Sequence, residues 1–332
     1  MGLSRKMSLR ELVEKRLHHG NGFFINPLTD KGHKGFLALL RWKIFAENRF
    51  KGMYDRERII PVHMDWRPVK EHGGCAVTFI KHASLLIKDG DRIFLIDPVL
   101  KKSLFFGDFS PLTSHIGEIP FPDYILVTHG HYDHLHMGTL SCFDSRSHVI
   151  TPLGYGKQFE SLTMTRHTRL DWFESHKEGG REIICLPCNH WTMRNPLIGP
   201  NRDLWGSFLI RTRSGLNIYV SGDTAYFDRF SELAEEYSID LAVFNLGAYE
   251  PRWFMVDSHI NPAETVRAFR ELKAKRLMIV HWGAFRLGDE PVYLPPLELK
   301  REMEKEGLAD KVIHLDPGQT LFYDGMKPSH IG

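Results

Sequence analysis

The chain has 332 residues, 42% hydrophobic and 25% charged, an ordinary balance for a globular protein and enough chain to bury a large core. A formal net charge of +2 excludes the strongly basic surface of a nucleic-acid binder. The cysteines, Cys75, Cys142, Cys185 and Cys188, are too sparse for a disulfide scaffold and fit a reducing, cytoplasmic setting.

Residues 1–74 read as an extension ahead of a main domain at 75–332. The start, MGLSRKMSLRELVEKRL, has basic residues but no apolar run of signal-peptide type, and Lys6 breaks the myristoylation pattern that Gly2 invites. No run in the chain approaches the ~20 apolar residues that span a bilayer. Within the extension, GFLALLRWKIFAENRF reads as an amphipathic helix. Phe36, Leu40 and Ile44 recur every four residues on one face, and Leu37, Trp42 and Phe45 widen it. Lys34, Arg41, Lys43 and Arg49 add positive charge. Most such helices dock on a core. The sharper reading turns a basic, aromatic face toward lipid, a peripheral membrane contact.

From Cys75 the chain turns to short strand-like runs. AVTFI opens them, and SLLIKDGDRIFLID reads as two strands around an Asp-Gly turn. YILVT, HVITP, TRLDWFE, REIICLP, SFLIRTRSGLNIYVSGD, DLAVFNLG and RLMIVH follow. Helical patterns interrupt them at YGKQFESL, DRFSELAEEY, PAETVRAFRELK and LELKREMEKEG, two of these with proline early in the first turn. Strand groups separated by exposed helices predict an α/β fold with two sheets face to face and helices outside. There is no internal repeat of solenoid period and no low-complexity segment.

The chemistry concentrates in YILVTHGHYDHLHMG. His129, His131, Asp133 and His134 form an H-x-H-x-D-H cluster straight after a strand, with Gly130 expected to free the turn. Imidazole and carboxylate are ligands of zinc-like divalent metals, and four donors in six residues suit two adjacent ions better than one. Further polar residues end other apolar runs: His190, Asp223, His281 and Asp97. A lone histidine or aspartate after a strand is usually a turn residue or a satisfied buried polar group. That many strand ends beside the cluster point instead to one edge of the sandwich.

VTFIKHASLLI, IFLIDP, THGHYDHL, NHWTMRNP, LWGSFLI, GDTAYF, LGAYEPRWFM, HINPAETV and VHWGAF, in order from residue 76 to residue 325, resemble the N-acylphosphatidylethanolamine-hydrolysing phospholipase D family of the metallo-β-lactamase fold superfamily. The resemblance implies a four-layer αββα sandwich and two zinc ions per chain, with Fe²⁺ or Mn²⁺ as alternatives set by supply. It implies one ion on His129, His131 and His190, a second on Asp133, His134 and His281, and Asp223 bridging both. Asp97 would steady ligand geometry and the nucleophilic water. His259 would lie over the site, meeting substrate phosphate or assisting proton transfer. Lys81 departs from the glycine usual in that family before the His-Ala pair. The family's homodimer is a further implication.

The reaction so implied is phosphodiester cleavage of the phospholipase D type, with hydroxide bridging the ions attacking phosphorus to release phosphatidic acid and an N-acylethanolamine. Arg194 is a candidate for the substrate phosphate, against a loop salt bridge. Trp253, Phe254 and Trp282, with Trp191, Met255 and Phe285, are candidates for an acyl groove, against plain core packing. A lactonase or another phosphodiesterase on the same site is the alternative, because fold does not set substrate. A di-iron oxidoreductase would favour a carboxylate where His131 stands, and a decayed, non-enzymatic chain should have lost a ligand. Cys185 and Cys188 have redox spacing but lie in a strand, so they read as structural thiols. His136 reads as the start of a solvent-facing helix rather than a ligand.

Overall fold

A computed structural model describes residues 7–29, 34–103 and 106–332, with Phe36 described by its backbone alone. The strands are β1 (Cys75–Lys81), β2 (Ser84–Asp89), β3 (Arg92–Ile96), β4 (Tyr124–Leu126), β5 (His148–Pro152), β6 (His167–Leu170) and β7 (Ser175–Glu178). They continue as β8 (Arg181–Leu186), β9 (Ser207–Arg211), β10 (Asn217–Val220), β11 (Leu241–Asn245), β12 (Arg276–Val280), β13 (Thr320–Asp324) and β14 (Lys327–Ile331). The helices are α1 (Leu9–Glu14), α2 (Phe36–Leu40), α3 (Arg67–Glu71), α4 (Met137–Leu140), α5 (Gly156–Glu160), α6 (Phe230–Glu236), α7 (Arg252–Met255), α8 (Pro262–Glu271) and α9 (Pro295–Lys305).

Among the described residues the strands form two sheets, ordered β14-β13-β1-β2-β3-β4-β5-β6 and β12-β11-β10-β9-β8-β7. Alternation within strands sorts side chains between two cores. Val77 and Phe79 of β1, Leu85 and Ile87 of β2, and Phe94 and Ile96 of β3 join the core that includes the second sheet, α6, α8 and α9. Ala76, Ile80, Leu86, Ile93 and Leu95 face the other way, onto Val69, Leu140 and Phe159 of α3, α4 and α5. Each large apolar side chain so buried contributes roughly 1.5–3 kcal/mol. The result is the αββα sandwich expected from the strand and helix pattern.

Pairing is antiparallel from β1 to β3 and parallel from β3 through β6. In the second sheet β7 to β10 are antiparallel and β10 to β12 parallel. The parallel strands β3, β4, β10 and β12 therefore end at one edge, and the loops that leave them carry Asp97, the histidine cluster, Asp223 and His281. Three strands escaped the sequence reading. β7 is Ser-His-Lys-Glu with no apolar residue, β14 is exposed throughout, and β13 returns to pair with β1 from the far end of the chain.

The extension packs on this body. Ser8 and Glu11 cap α1 reciprocally, and Leu9 and Leu12 enter the main core. The expected amphipathic helix divides into α2 and a π-helical turn, Arg41–Phe45. Its docking differs from the periodic expectation. Trp42 is the buried anchor, donating from Nε1 to Asp289 Oδ1 at 2.9 Å and packing on Ala248, Met255 and Phe254. Leu37, Ile44 and Phe45 stay 79%, 61% and 78% exposed. The π turn breaks the 3.6-residue period, and Trp42 points inward while Leu40 and Ile44 stay exposed. No described helix is long and apolar enough to cross a membrane.

Candidate metal centre

Two sets of ligand atoms face each other at the common strand edge. The first is His129, His131, His190 and Asp223, and the second is His82, Asp133, His134 and His281. In the first, His131 Nδ1 lies 2.9 Å from His129 Nε2 and 3.3 Å from His190 Nε2. Asp223 Oδ2 lies 3.8 Å from both His129 Nε2 and His190 Nε2. In the second, Asp133 Oδ2 is 3.5 Å from His134 Nε2 and from His281 Nε2. Asp223 reaches this set too, with Oδ2 at 3.3 Å from His134 Nε2 and Oδ1 at 3.3 Å from His281 Nε2. A tetrahedral ion with ligands ~2.0–2.1 Å away holds them roughly 3.3 Å apart, so both sets have metal-ligand spacing and Asp223 stands between them.

The hydrogen bonding fits the same purpose. His134 Nε2 and His281 Nε2 are buried among carboxylates with no hydrogen-bond partner. An orphaned buried nitrogen is costly unless something occupies it. Asp97 accepts from Thr128 N at 2.8 Å and Thr128 Oγ1 at 2.6 Å, and lies 2.8 Å from His134 Nδ1. That bond puts the proton on Nδ1 and leaves the Nε2 lone pair facing inward. His190 Nδ1 donates to Ser258 O at 2.9 Å with the same effect. Asn245 Nδ2 donates to Asp223 Oδ1 at 2.8 Å. Burial works against ionised Asp223 and Asp133, but the histidine charges around them outweigh it and hold both carboxyls well below their ordinary range. For His129 and His190 burial dominates and keeps the imidazoles neutral, the form a metal takes.

Several backbones are bent to place these groups. Asp97, His82 and His281 have φ of 42°, 51° and 70°. Non-glycine residues there cost of order 1–3 kcal/mol each and persist where the surroundings over-determine them. Gly130 is different from its expected part. Its φ lies outside the left-handed region, and a Cβ would come 3.0 Å from Thr192 Oγ1 and from the Tyr155 ring. It is needed for close approach, not for turn freedom.

The sequence reading missed His82, Asn245, Thr128 and Arg252. His82 is fully buried at the β1–β2 turn, with Nε2 at 3.1 Å from Asp133 Oδ2 and its carbonyl accepting from His281 N at 2.7 Å. It stood in the quoted VTFIKHASLLI, but a histidine inside a hairpin lacks the strand-end context that marked the others. Asn245 had that context, ending LAVFN. Arg252 donates to His259 O and to both oxygens of Glu264, which fixes the loop that carries His259. His259 itself sits over the centre, Nδ1 at 3.9 Å from Asp223 Oδ2, and burial lowers its pKa to about 4.

The residues expected to meet substrate divide. Arg194 is committed to the metal loop: NH1 donates to Gly130 O at 3.1 Å and Leu135 O at 2.8 Å, and its guanidinium stacks on Tyr132. These carbonyl bonds stand where a loop salt bridge was expected. Trp282 points away into the core against Phe79, Tyr293 and His314 because its neighbour His281 takes the inward direction. Trp253 is 43% exposed, and Phe254 packs between it and Trp42. Trp191 packs on His131 and donates to Ser258 Oγ. Met255 and Phe285 are buried. His136 caps α4, accepting from Thr139 N, and is half-buried rather than solvent-facing. Lys81 is buried and paired with Asp108 Oδ2 at 2.5 Å. Cys185 and Cys188 are free, buried thiols whose pKa burial raises well above the ordinary value.

The β-lactamase superfamily domain matches residues 92–282. A Caenorhabditis elegans protein named N-acyl-phosphatidylethanolamine-hydrolyzing phospholipase D 1 is 30% identical over 326 residues, which cover 89% of this chain and 91% of that relative. A Saccharomyces cerevisiae protein named N-acyl-phosphatidylethanolamine-hydrolyzing phospholipase D, mitochondrial, is 31% identical over 252 residues, 72% of this chain and 53% of the relative, so this chain spans about half of it. An isothiocyanate hydrolase from Delia radicum gut bacteria superposes with a TM-score of 0.62 at 18% identity, covering 75% of this chain and 99% of that one, a likeness of fold.

Proposed function

The chain belongs to the β-lactamase superfamily, in its N-acylphosphatidylethanolamine-hydrolysing phospholipase D family, and on that footing we propose that this metallo-hydrolase cleaves N-acylphosphatidylethanolamine-like phosphodiesters with two zinc ions. The observation that carries the reading is the pair of ligand sets sharing Asp223, with His259 above them. His129, His131 and His190 would hold one ion, Asp133, His134 and His281 the other, with Asp223 within reach of both. Bound there, the ions supply an activated water at neutral pH and positive charge against the phosphoryl oxygens.

The protein's own groups do the rest. Asp97 and Ser258 O fix the tautomers of His134 and His190. Arg194 pins the Gly130 and Leu135 carbonyls, so the loop bearing His131 and Asp133 keeps its shape. Water adds to phosphorus and gives up a proton, the phosphorus–oxygen bond to the ethanolamine side breaks, and the departing alkoxide takes up that proton. His259, neutral at working pH, can relay that proton, accepting it on one ring nitrogen as it donates from the other. The products are phosphatidic acid and an N-acylethanolamine.

On the docked segment Leu37, Ile44 and Phe45 stand exposed, with Arg41 over the Trp253 ring and Lys43 over that of Trp42. An apolar face edged with cations supports peripheral contact with a lipid surface that presents the substrate. Lys34 and Arg49 contribute less, being paired with Asp257 and Glu250.

The test is metal per chain by elemental analysis, then turnover of N-acylphosphatidylethanolamine, bis(p-nitrophenyl) phosphate and an acyl-lactone by the same sample. Two zinc ions with lipid turnover, both lost in Asp223→Ala, are expected. Lactone or generic diester turnover alone would move the substrate while keeping the centre. Full activity in Asp223→Ala would remove the bridging assignment.

A further inference from the structure

A second cluster of ligands lies at the opposite end of the sandwich from the centre described above. Tyr124 and His148 begin the parallel strands β4 and β5 and stack side by side in register. The histidine cluster and Asp97 leave the other ends of β4 and β3. Facing them, His176 and Glu178 of β7 stand two residues apart and so project from the same face of the edge strand of the second sheet. His148, His176 and Glu178 thus converge from two sheets.

The atoms are arranged for a ligand. Glu178 Oε2 lies 3.4 Å from His176 Nε2 and 4.0 Å from His148 Nδ1, and the two imidazoles meet at a centroid distance of 4.6 Å. His148 Nε2 lies 2.8 Å from Thr168 Oγ1. When that nitrogen carries the proton, Nδ1 is left as a bare lone pair, and Nδ1 is buried with no hydrogen-bond partner. Tyr124 OH donates to Glu178 Oε2 at 2.7 Å and fixes the carboxylate, as a supporting donor does in metal sites. Burial, with His176 beside it, pushes the His148 pKa down to about 4, so the ring is neutral. Glu178 is 44% exposed, which leaves an approach from solvent. Arg166 acts electrostatically on both His148 and Glu178 and opposes a cation.

We propose that His148, His176 and Glu178 form a separate site for a zinc-class divalent cation, with water completing the coordination, that ties β5 of one sheet to β7 of the other. Two nitrogens and one carboxylate oxygen within 4.8 Å of one another are a donor set that zinc takes. The ion replaces the hydrogen bond that His148 Nδ1 lacks. It takes no part in hydrolysis, because the strands' full length separates it from His129.

The test uses the full chain with the first centre disabled by His129→Ala and His281→Ala, so it does not depend on the hydrolase reading. After chelation and dialysis, zinc is titrated in against a chromophoric chelator. The expectation is about one zinc per chain, lost on adding His176→Ala, and tightened several-fold by Arg166→Ala. No zinc in the disabled chain, or one zinc that His176→Ala leaves in place, overturns the proposal. Should the disabled chain lose its circular dichroism, the comparison is made between the unsubstituted protein and His176→Ala alone. A stoichiometry lower by about one with hydrolysis retained supports the site, and an unchanged stoichiometry refutes it.

Discussion

Replacing Asp97 by asparagine changes one atom and should unseat one metal ligand. The carboxylate takes three donors: Thr128 N at 2.8 Å on one oxygen, and Thr128 Oγ1 at 2.6 Å with His134 Nδ1 at 2.8 Å on the other. Asparagine supplies one acceptor and one NH₂. With the amide nitrogen toward His134 it donates to Nδ1, which moves the imidazole proton to Nε2, the atom that faces Asp133 and Asp223. With the amide flipped, its NH₂ confronts the Thr128 backbone N–H. One orientation protonates the ligand and the other leaves two buried donors opposed, at about 1–3 kcal/mol. Loss of such a supporting partner typically lowers metal affinity 10–100-fold, or about 1.4–2.7 kcal/mol. Chelator competition on Asp97→Asn should show one ion released at 10–100-fold lower chelator strength and the other nearly unchanged. If both ions are held within twofold of the unsubstituted protein, the orientation argument for Asp97 is wrong.

His82→Phe keeps an aromatic ring but removes the group 3.1 Å from Asp133 Oδ2, so the same ion should weaken; equal loss of both ions would refute a local effect. His259→Ala should lower turnover roughly 100-fold or more with metal content retained, and metal loss would make it a ligand instead. Trp42→Ala removes a buried indole and its bond to Asp289, weakening the docking of residues 36–45 by roughly 3–5 kcal/mol. Limited proteolysis should then cut that segment first, and unchanged protection would mean other contacts hold it. A thiol reagent should reach exposed Cys142 in the native protein, and Cys75, Cys185 and Cys188 only after denaturation. For Cys75 burial both shields the thiol and pushes its pKa up to about 12.

Strand and helix legibility followed side-chain chemistry. β1 to β5 and β8 to β12 carry apolar runs typical of buried strands; alternation divides β1 to β5 between two cores, while β8 to β12 belong to one. β7 could not be read, because its stability comes from pairing with β8 and its residues are polar. The burial of Trp42 in place of its neighbours depends on a pocket of Ala248, Met255 and Phe254 supplied by residues two hundred positions away.

By itself the sequence determined the donors: residue types that bind metal, placed at the ends of apolar runs, with enough of them for two ions. Local composition carries that much, since a strand's end and a ligand's chemistry are both short-range properties. The tertiary structure decided everything that needs two segments at once. It alone brought His82 out of a hairpin to Asp133, turned Trp282 away from the centre into the core and bound Arg194 to backbone carbonyls of the metal loop. Side-chain direction is set by packing against distant neighbours, and a motif states only which side chain is present.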